Sequence, residues 1–324
     1  MLEYFLQGGE KRELVYPDYY KFFKCIAEHC RHSCCIGWEI DIDEDTYSYY
    51  SSIPGKFGAR LRNNISKEDT PHFVLDNNER CPFLNSDGLC DIIVNLGEDA
   101  LCQICADHPR FRNFYSGRTE IGLGLCCEEA ARLILSKRDK THLVFEGELE
   151  SALSTKEQEL LSLRDKLFKI VQNRNEPIED RFSNMLSFVG VKFPKKTPAF
   201  WAEFFKDLER LNPDWEKLMD DLETLREDIQ FDVSFLDTHF EQLAVYLIYR
   251  HLAGAIYDKK LMQRICFIYL SLYIIKLIIC AKLKKGERPT EEQFYNICRM
   301  FSSEIEYSDE NIDRVLSAFD LAKE

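Results

Sequence analysis

Beyond residue 150, apolar residues recur at helical spacing through most of the chain. Leu160, Leu163, Leu167, Ile170 and Val171 fall three or four apart or adjacent, which builds one apolar stripe on a helix. Thr155-x-x-Gln158, just before them, has the form of a capping box. Thr197-Pro198 supplies an N-cap with proline at the first helical position, opening AFWAEFFKDLERL, and Asn212-Pro213 stops that helix. Further helices are expected at about 214–228, 237–257, 260–284, 290–304 and 309–322, with Thr290-x-x-Gln293 repeating the capping pattern. No repeat or low-complexity linker interrupts this part, and residues 141–324 read as an α-helical bundle domain.

Over residues 1–140 the pattern is shorter and mixed. YPDYYKFF, within residues 1–24, predicts a strand or extended arm, and Glu39–Asp43 alternates as a strand does. Helices are expected over Glu44–Tyr50 and Lys56–Ile65, separated by Pro54-Gly55, and a second strand over His72–Leu75. Asn85-Ser-Asp-Gly88 reads as a turn that brings its flanks, Cys81 and Cys90, together. Short helices follow over Leu89–Leu96 and Glu98–Asp107, ended by His108-Pro109-Arg110, then a hairpin over 111–125 and a helix over Cys127–Leu135. The fold class is mainly α: a cysteine-rich N-terminal domain with short strands, followed by the helical bundle.

Length and charge narrow the function classes. A chain of 324 residues buries a sizeable core and is expected to form two structural units. A net charge of −14 and a pI near 5.1 argue against a general nucleic-acid binder and against anionic membrane surfaces. Ile265–Leu283 is the one stretch resembling a membrane span, but Lys276 interrupts it, so a buried core helix is expected. The opening MLEYFLQGGEKRELV lacks the basic and apolar regions of a secretory signal, which points to a reducing cytoplasm with free thiols.

Ten of the thirteen cysteines fall between Cys25 and Cys127, in short groups. Grouped thiolates are soft, strong ligands, and in this compartment they point to zinc or an iron–sulfur centre. The paired C-x2-C units of a zinc ribbon are half present, as Cys102-Gln-Ile-Cys105. Cys30-x3-Cys34 begins a radical-SAM spacing whose third cysteine falls on Gly37, so a standard radical enzyme is not expected. Cys34 and Cys35 are neighbours whose side chains point apart, so one is structural or the two serve separate centres. Cys266, Cys280 and Cys298 lie on apolar helical sequence and are expected in the core. His29, His32 and His108 stand near the cysteines, in roles outside the ligand set. Trp38 is expected to be buried beside the thiols, and Asp41, Asp43, Tyr47 and Tyr49 to sit on solvated faces. Gly122-x-Gly124 reads as a bulge or tight turn, not a cofactor loop, and no G-x-G-x-G turn is present.

Taken together, Phe23-Lys24-Cys25-x4-Cys30-x3-Cys34-Cys35-x-Gly37-Trp38, Cys81-Pro-Phe-Leu84, Leu89-Cys90, Cys105-x3-Pro109-Arg110 and Leu125-x-Cys127 resemble the flagellin lysine-N-methylase family. The chain is also similar to a broader group of zinc- or iron-chelating proteins with grouped cysteines. The resemblance is densest over residues 17–135 and looser beyond, at segments such as Tyr246–Arg250. It implies a cytoplasmic bacterial protein-lysine N-methyltransferase that uses S-adenosylmethionine, acts on surface lysines of flagellin, and carries an iron–sulfur centre of the [4Fe–4S] type, with zinc as the alternative. A low-potential electron donor is a further partner under this reading; nucleic acid and membrane are not. The motif-matching thiols are Cys25, Cys30, Cys34, Cys35, Cys81, Cys90, Cys105 and Cys127, while Cys102 and Cys126 stand outside the pattern. Eight thiols suffice for two four-cysteine centres, or for one centre plus structural thiols. No residue is singled out as the catalytic base or as a binder of S-adenosylmethionine. Two other functional classes remain open: a non-catalytic zinc-binding interaction module, and a redox or electron-transfer iron–sulfur protein.

Overall fold

A computed structural model of the protein describes residues 13–67, 70–148, 151–225 and 231–320. The chain is mainly helical with a few short strands, as its periodicity predicts. In chain order the first elements are β1 (Glu13–Pro17), α1 (Glu44–Ser52), α2 (Gly55–Asn63), β2 (Ile65–Ser66), β3 (His72–Phe73), α3 (Asp91–Leu96) and α4 (Gln103–Asp107). Next come β4 (Arg110–Phe114), β5 (Arg118–Leu123), α5 (Glu128–Leu135), β6 (Leu143–Glu146), α6 (Thr155–Val171), α7 (Ile178–Val189) and α8 (Pro198–Lys206). The remaining helices are α9 (Pro213–Glu223), α10 (Asp237–His251), α11 (Ala255–Asp258), α12 (Leu261–Lys284), α13 (Glu291–Phe301) and α14 (Asp309–Ser317).

Two compact units form. The smaller, here the thiol unit, comprises Lys24–Phe111 with Cys127–Glu129; the larger, here the helical unit, comprises Met1–Phe23, Arg112–Cys126 and Ala130–Glu324. The boundary expected between residues 140 and 141 therefore falls inside the helical unit. The cause is a sheet in the order β4-β5-β1-β6. There β1 runs parallel to β5, with Glu13 opposite Arg118, and antiparallel to β6, with Val15 opposite Phe145. Strand pairing of this kind joins segments a hundred residues apart, and local periodicity does not register it. It also accounts for β6, a strand where only helix was expected.

The helical unit is built around α10 and α12. Nearly every residue of α10 is buried, and it packs on α12 and α6. Helix α12 is long and apolar enough to cross a bilayer, but 72% of its most apolar window is buried inside the protein. Lys276, the interrupting charge, pairs with Glu179 at 2.6 Å. Cys266, Cys280 and Cys298 are buried, as expected of core thiols. The N-cap at Thr197 and the capping box Thr290/Gln293 form as the sequence predicts, but α8 ends at Lys206, before the expected stop at Asn212-Pro213, and Asn212 instead caps the start of α9. The first box sits one residue early: Ser154 accepts from the Glu157 amide, and Glu157 returns to the Ser154 amide at 2.7 Å. Helix α7 escaped the periodicity reading, although Pro177 and Gly190 (φ 71°) punctuate its two ends. The helix expected over 237–257 stops at His251 and resumes after a turn as α11. Residues 1–12, 226–228 and 321–322 of the expected elements lie outside the described residues.

After α13 the chain makes a π-helical turn, Ser302–Glu306, which buries Glu304 and Glu306. Glu306 accepts from the Tyr246 hydroxyl at 2.5 Å and pairs with Arg250 at 3.2 Å. The Arg250 guanidinium lies over the Tyr307 ring, 4.5 Å from its centroid. Gly124 packs directly against this group. A Cβ at that position would stand 2.0 Å from the Tyr307 hydroxyl and 2.7 Å from Arg250 Nη1, so the residue is glycine for close packing. Gly124→Ala is expected to destabilise the helical unit by about 1–3 kcal/mol through overpacking, read as a lower urea midpoint with unchanged slope. A midpoint equal to that of the unsubstituted chain contradicts the close approach.

Candidate metal centre

The thiol unit has its own apolar core, in which Ile40, Ile42, Tyr50, Leu61, Phe73, Phe83 and Ile92 are buried together. Helix α1 begins at Asp43, whose carboxylate accepts from the Thr46 amide at 2.9 Å and from the Gln103 amide at 2.8 Å. One acidic residue thus caps α1 and fixes the start of α4, which is a structural role. The strand expected over Glu39–Asp43 reduces to a single bridge from Asp41 to His72 of β3, and β3, expected to reach Leu75, ends at Phe73 and pairs with β2. Tyr47 is half-buried, and Tyr49 is exposed. Trp38 is half-buried, not enclosed; its indole N–H donates to the Cys34 carbonyl, and its ring meets His108 edge-on at 5.2 Å.

The expected turn at Asn85–Gly88 is present. Asn85 Oδ1 accepts from the amides of Asp87 and Leu89, both at 3.0 Å, and Leu84 bridges Cys90 in antiparallel fashion. Arg60 braces the turn from α2, reaching Asp91 Oδ2 and the Pro82 carbonyl, both at 2.6 Å. Burial alone raises the Asp91 carboxyl, but the Arg60 and Asn85 hydrogen bonds outweigh it and hold the group below its ordinary value. The result brings Cys81 and Cys90 within electrostatic reach of each other and of Cys35.

All eight candidate thiols belong to this one unit, including Cys127, which returns to it from far along the chain. They divide into two sets at the Cys34-Cys35 pair. Cys35, Cys81, Cys90 and Cys105 pack against the apolar core, together with Cys102. Cys25 and Cys34 are exposed and Cys30 and Cys127 half-buried, outside that core. Electrostatics follows the same division. Cys34 feels Cys25 and Cys127, whereas Cys35 feels neither of those but is felt by Cys81 and Cys90; Cys105 is in reach of both members of the pair. The adjacent cysteines thus differ in surroundings, Cys35 against the apolar core and Cys34 outside it, although both lie in one turn and their side chains bond each other.

The outer set is organised by a residue that sequence reading missed. Glu128, at the start of α5, accepts from the Arg31 amide at 2.9 Å, Arg31 Nε at 3.1 Å and His32 Nδ1 at 2.8 Å, and lies 3.9 Å from the Cys30 thiol. One carboxylate thus ties the Cys25–Cys35 segment to the residue after Cys127. Burial raises this carboxyl, but the His32 and Arg31 hydrogen bonds prevail and hold it ionised. Sequence shows only an acidic pair opening a helix, which ordinarily serves the helix dipole. His29 is exposed, so of the three histidines only His32 is engaged with this carboxylate.

The thiols are too crowded to ionise together. Hydrogen bonding to Cys35, burial, and then the charges of Cys35, Cys25 and Cys127 push the Cys34 thiol far up. Cys105 is pushed up in the same way by Cys102, burial and the charge of Cys35. Burial lifts Cys81 to about 12. A bound cation reverses this balance by compensating several thiolates at once, so the donor set fits a soft-ligand metal or cluster in its chemistry. Among the described residues no three His, Cys, Asp or Glu side chains already form a metal cage. Instead the sulfurs pair with one another, Cys34 with Cys35 and Cys102 with Cys105.

Comparison with known proteins bears on what such a unit serves. The profile of the FliB lysine N-methylase C-terminal domain matches residues 195–323. A lysine-N-methylase of Salmonella choleraesuis is 26% identical over 204 residues, covering 58% of this chain and 50% of that protein. The corresponding protein of Salmonella typhimurium gives the same figures. The flagellar biosynthetic protein FliU of Salmonella muenchen is 30% identical over 133 residues, which cover 38% of this chain and 77% of FliU. The chain belongs to the FliB lysine N-methylase family. It spans about half the length of the two lysine-N-methylases. No solved structure matches it.

The family's C-terminal domain falls within the helical unit and contains Arg250's partners Glu306 and Tyr307. Of the two cysteines outside the family-like pattern, Cys126 belongs to the helical unit, where its side chain bonds Tyr307, and Cys102 is fully buried in the thiol unit. Arg110 donates to the Ala106 carbonyl at 3.2 Å, closing the end of α4.

Two outcomes are expected of this FliB-family chain. Glu128→Ala leaves the Arg31 and His32 donors without their acceptor; amide exchange over residues 26–35 should accelerate about tenfold or more, as the loss of 1–3 kcal/mol of charge-assisted hydrogen bonding implies. Unchanged exchange there refutes the tether. Burial, then the Arg110 charge, hold the His108 imidazole down at about 4 instead of 6.5. Between those values the unfolded chain takes up a proton that the folded state refuses, so stability falls as pH drops through that window. His108→Asn should flatten the urea midpoint between pH 6.5 and 4; an equally steep decline places the titration elsewhere.

Proposed function

We propose that this chain methylates the ε-amino group of lysine side chains on a protein, with S-adenosylmethionine as methyl donor, flagellin as substrate, and an iron–sulfur centre held by the thiol unit, in the bacterial cytoplasm. Likeness to lysine-N-methylases carries the reaction class. The name of FliU, a flagellar biosynthetic protein, supports flagellin as the substrate. The gathering of eight thiols in one unit supports the centre.

The outer quartet Cys25, Cys30, Cys34 and Cys127 would hold a [4Fe–4S] cluster, and the inner quartet Cys35, Cys81, Cys90 and Cys105 a second four-thiolate centre. Four thiolates are the usual complement of either an iron–sulfur cluster or a structural zinc. A bound cluster would supply charge compensation to these thiolates and rigidity to the unit that holds them. The protein's own contribution is orientation. Glu128 fixes the outer loop through Arg31 and His32, and Arg60 and Asn85 fix the inner turn.

In the transfer, the lysine nitrogen forms a bond to the methyl carbon as the carbon–sulfur bond of the sulfonium breaks, and the ammonium proton leaves for solvent or a base. Free lysine titrates near ~10.4, so its ammonium must first give up a proton to solvent or a base, and a site that excludes water favours the neutral amine that attacks. An acidic protein of net charge −14 favours encounter with lysine-bearing partners.

The chain, purified without oxygen, is incubated with flagellin and S-adenosylmethionine, with and without a low-potential electron donor, and the flagellin is mapped by mass spectrometry. Methylated lysines are expected in its presence, and Cys34→Ser should lower the yield about a hundredfold, as loss of a centre's ligand or outer-shell support does. Flagellin unmethylated under both conditions contradicts the methylase reading. A colourless zinc protein points to an interaction module, and a brown protein that transfers no methyl group to electron transfer.

A further inference from the structure

Cys102 has no place in either quartet. It is fully buried, yet its thiol shares a side-chain hydrogen bond with Cys105 of the inner quartet. Cys102 is the N-cap of α4 and Cys105 its third residue, with the Ala106 amide bonded to the Cys102 carbonyl at 2.9 Å. The first turn of a helix holds its N-cap and third residue side by side, at a separation a disulfide can bridge without moving the backbone. Cys105 is half-buried, so a small oxidant reaches it first, with Cys102 behind it as resolving thiol.

From this juxtaposition we infer that Cys102 and Cys105 form a reversible disulfide, an oxidation site that withdraws Cys105 from the inner quartet when that quartet is empty. The inference rests on the metal-binding reading for its consequence, but not for the bond itself. The oxidant is a low-molecular-weight disulfide. Cys105 attacks one of its sulfurs as its proton leaves along the hydrogen bond to Cys102, and expels the first small thiol. Cys102 then attacks the Cys105 sulfur of the mixed disulfide and expels the second. One sulfur–sulfur bond is broken in the oxidant and one formed in the protein; the two cysteines lose two electrons and two protons, which leave on the two released thiols.

Cys34-Cys35 is the competing pair, since these thiols also bond each other. A disulfide between adjacent residues closes a small ring across a planar trans peptide, and that geometry is strained. Both members also stand in the family-like pattern. Cys102 stands outside it, so its assignment as a resolving thiol conflicts with no ligand role.

The full-length chain, reduced and freed of metal, is treated anaerobically with glutathione disulfide, alkylated and mapped by peptide mass. The expected product is one peptide covering residues 102–105 that has lost two hydrogens and resists alkylation. A parallel sample is titrated with zinc. Oxidation should lower zinc bound per chain by roughly half, the share of one of two four-thiolate sites, and a dithiol should restore it. In Cys102→Ser the mixed disulfide at Cys105 has no resolving thiol, so the expected product is a Cys105 peptide carrying one small thiol, released by the dithiol, in place of the internal linkage. A Cys34-Cys35 linkage, a scrambled mixture, or a Cys102→Ser chain whose Cys105 takes up no small thiol overturns the assignment. Mapping on the unsubstituted chain does not depend on the variant's folding. A clean 102–105 linkage in a chain that binds no zinc even when reduced sustains the oxidation site and contradicts the metal reading instead.

Discussion

Everything in the thiol unit answers to one electrostatic constraint: several sulfurs share a small volume, and they cannot all carry charge at neutral pH without a counter-charge. Two responses are open to such a group. The sulfurs can keep their protons and pair among themselves, as Cys34 does with Cys35 and Cys102 with Cys105. Alternatively they can ionise onto a cation that compensates them together, which is how metal binding becomes folding energy in thiolate proteins. The scaffold is consistent with either, because the elements that gather the sulfurs do not use them. Asp43, Arg60, Asn85 and Glu128 fix the loops through hydrogen bonds to backbone and to charged side chains.

The helical unit solves a different problem by different means. Two of its buried carboxylates are paired with arginines: Glu241 with Arg181 at 2.8 Å and with Arg174 at 2.8 Å, and Glu120 with Arg164 at 2.5 Å. Breaking such a pair strands a charge away from water, which costs far more than the pair itself contributes. The Tyr246–Arg250–Glu306 group belongs to the same class, with Tyr246 and Arg250 on α10 and Glu306 on the π-helical turn after α13. Irregular helical turns of this kind recur at functional sites, and this one falls within the residues matched by the family's C-terminal domain.

Much of this was legible in the residues. Most helix positions from α6 onward, α7 excepted, followed from spacing and caps, because proline and threonine at helix starts act locally. The Cys81–Cys90 turn followed from Asn85 and Gly88 for the same reason. What stayed hidden depended on distant partners. The parallel pairing of β1 with β5 moved the unit boundary, and no local pattern encodes a partner a hundred residues away. Glu128 looks like an ordinary first-turn acid until Arg31 and His32 are placed beside it. Trp38 was misjudged by type, since the indole proved half-exposed, and the bond from Cys102, a thiol outside the family-like pattern, to Cys105 has no signal in the sequence beyond their spacing. The division of the adjacent cysteines between two sets was visible only as an option, and burial against the apolar core is what separates Cys35 from Cys34.

The most direct test of the account is the iron, acid-labile sulfide and zinc content of the chain purified without oxygen, measured beside its Cys34→Ser and Cys35→Ser variants. Iron and sulfide in equal amounts are predicted, with Cys34→Ser losing the outer centre and Cys35→Ser the inner one. A chain that carries no bound metal under these conditions, or two variants that lose the same metal to the same extent, would contradict the account.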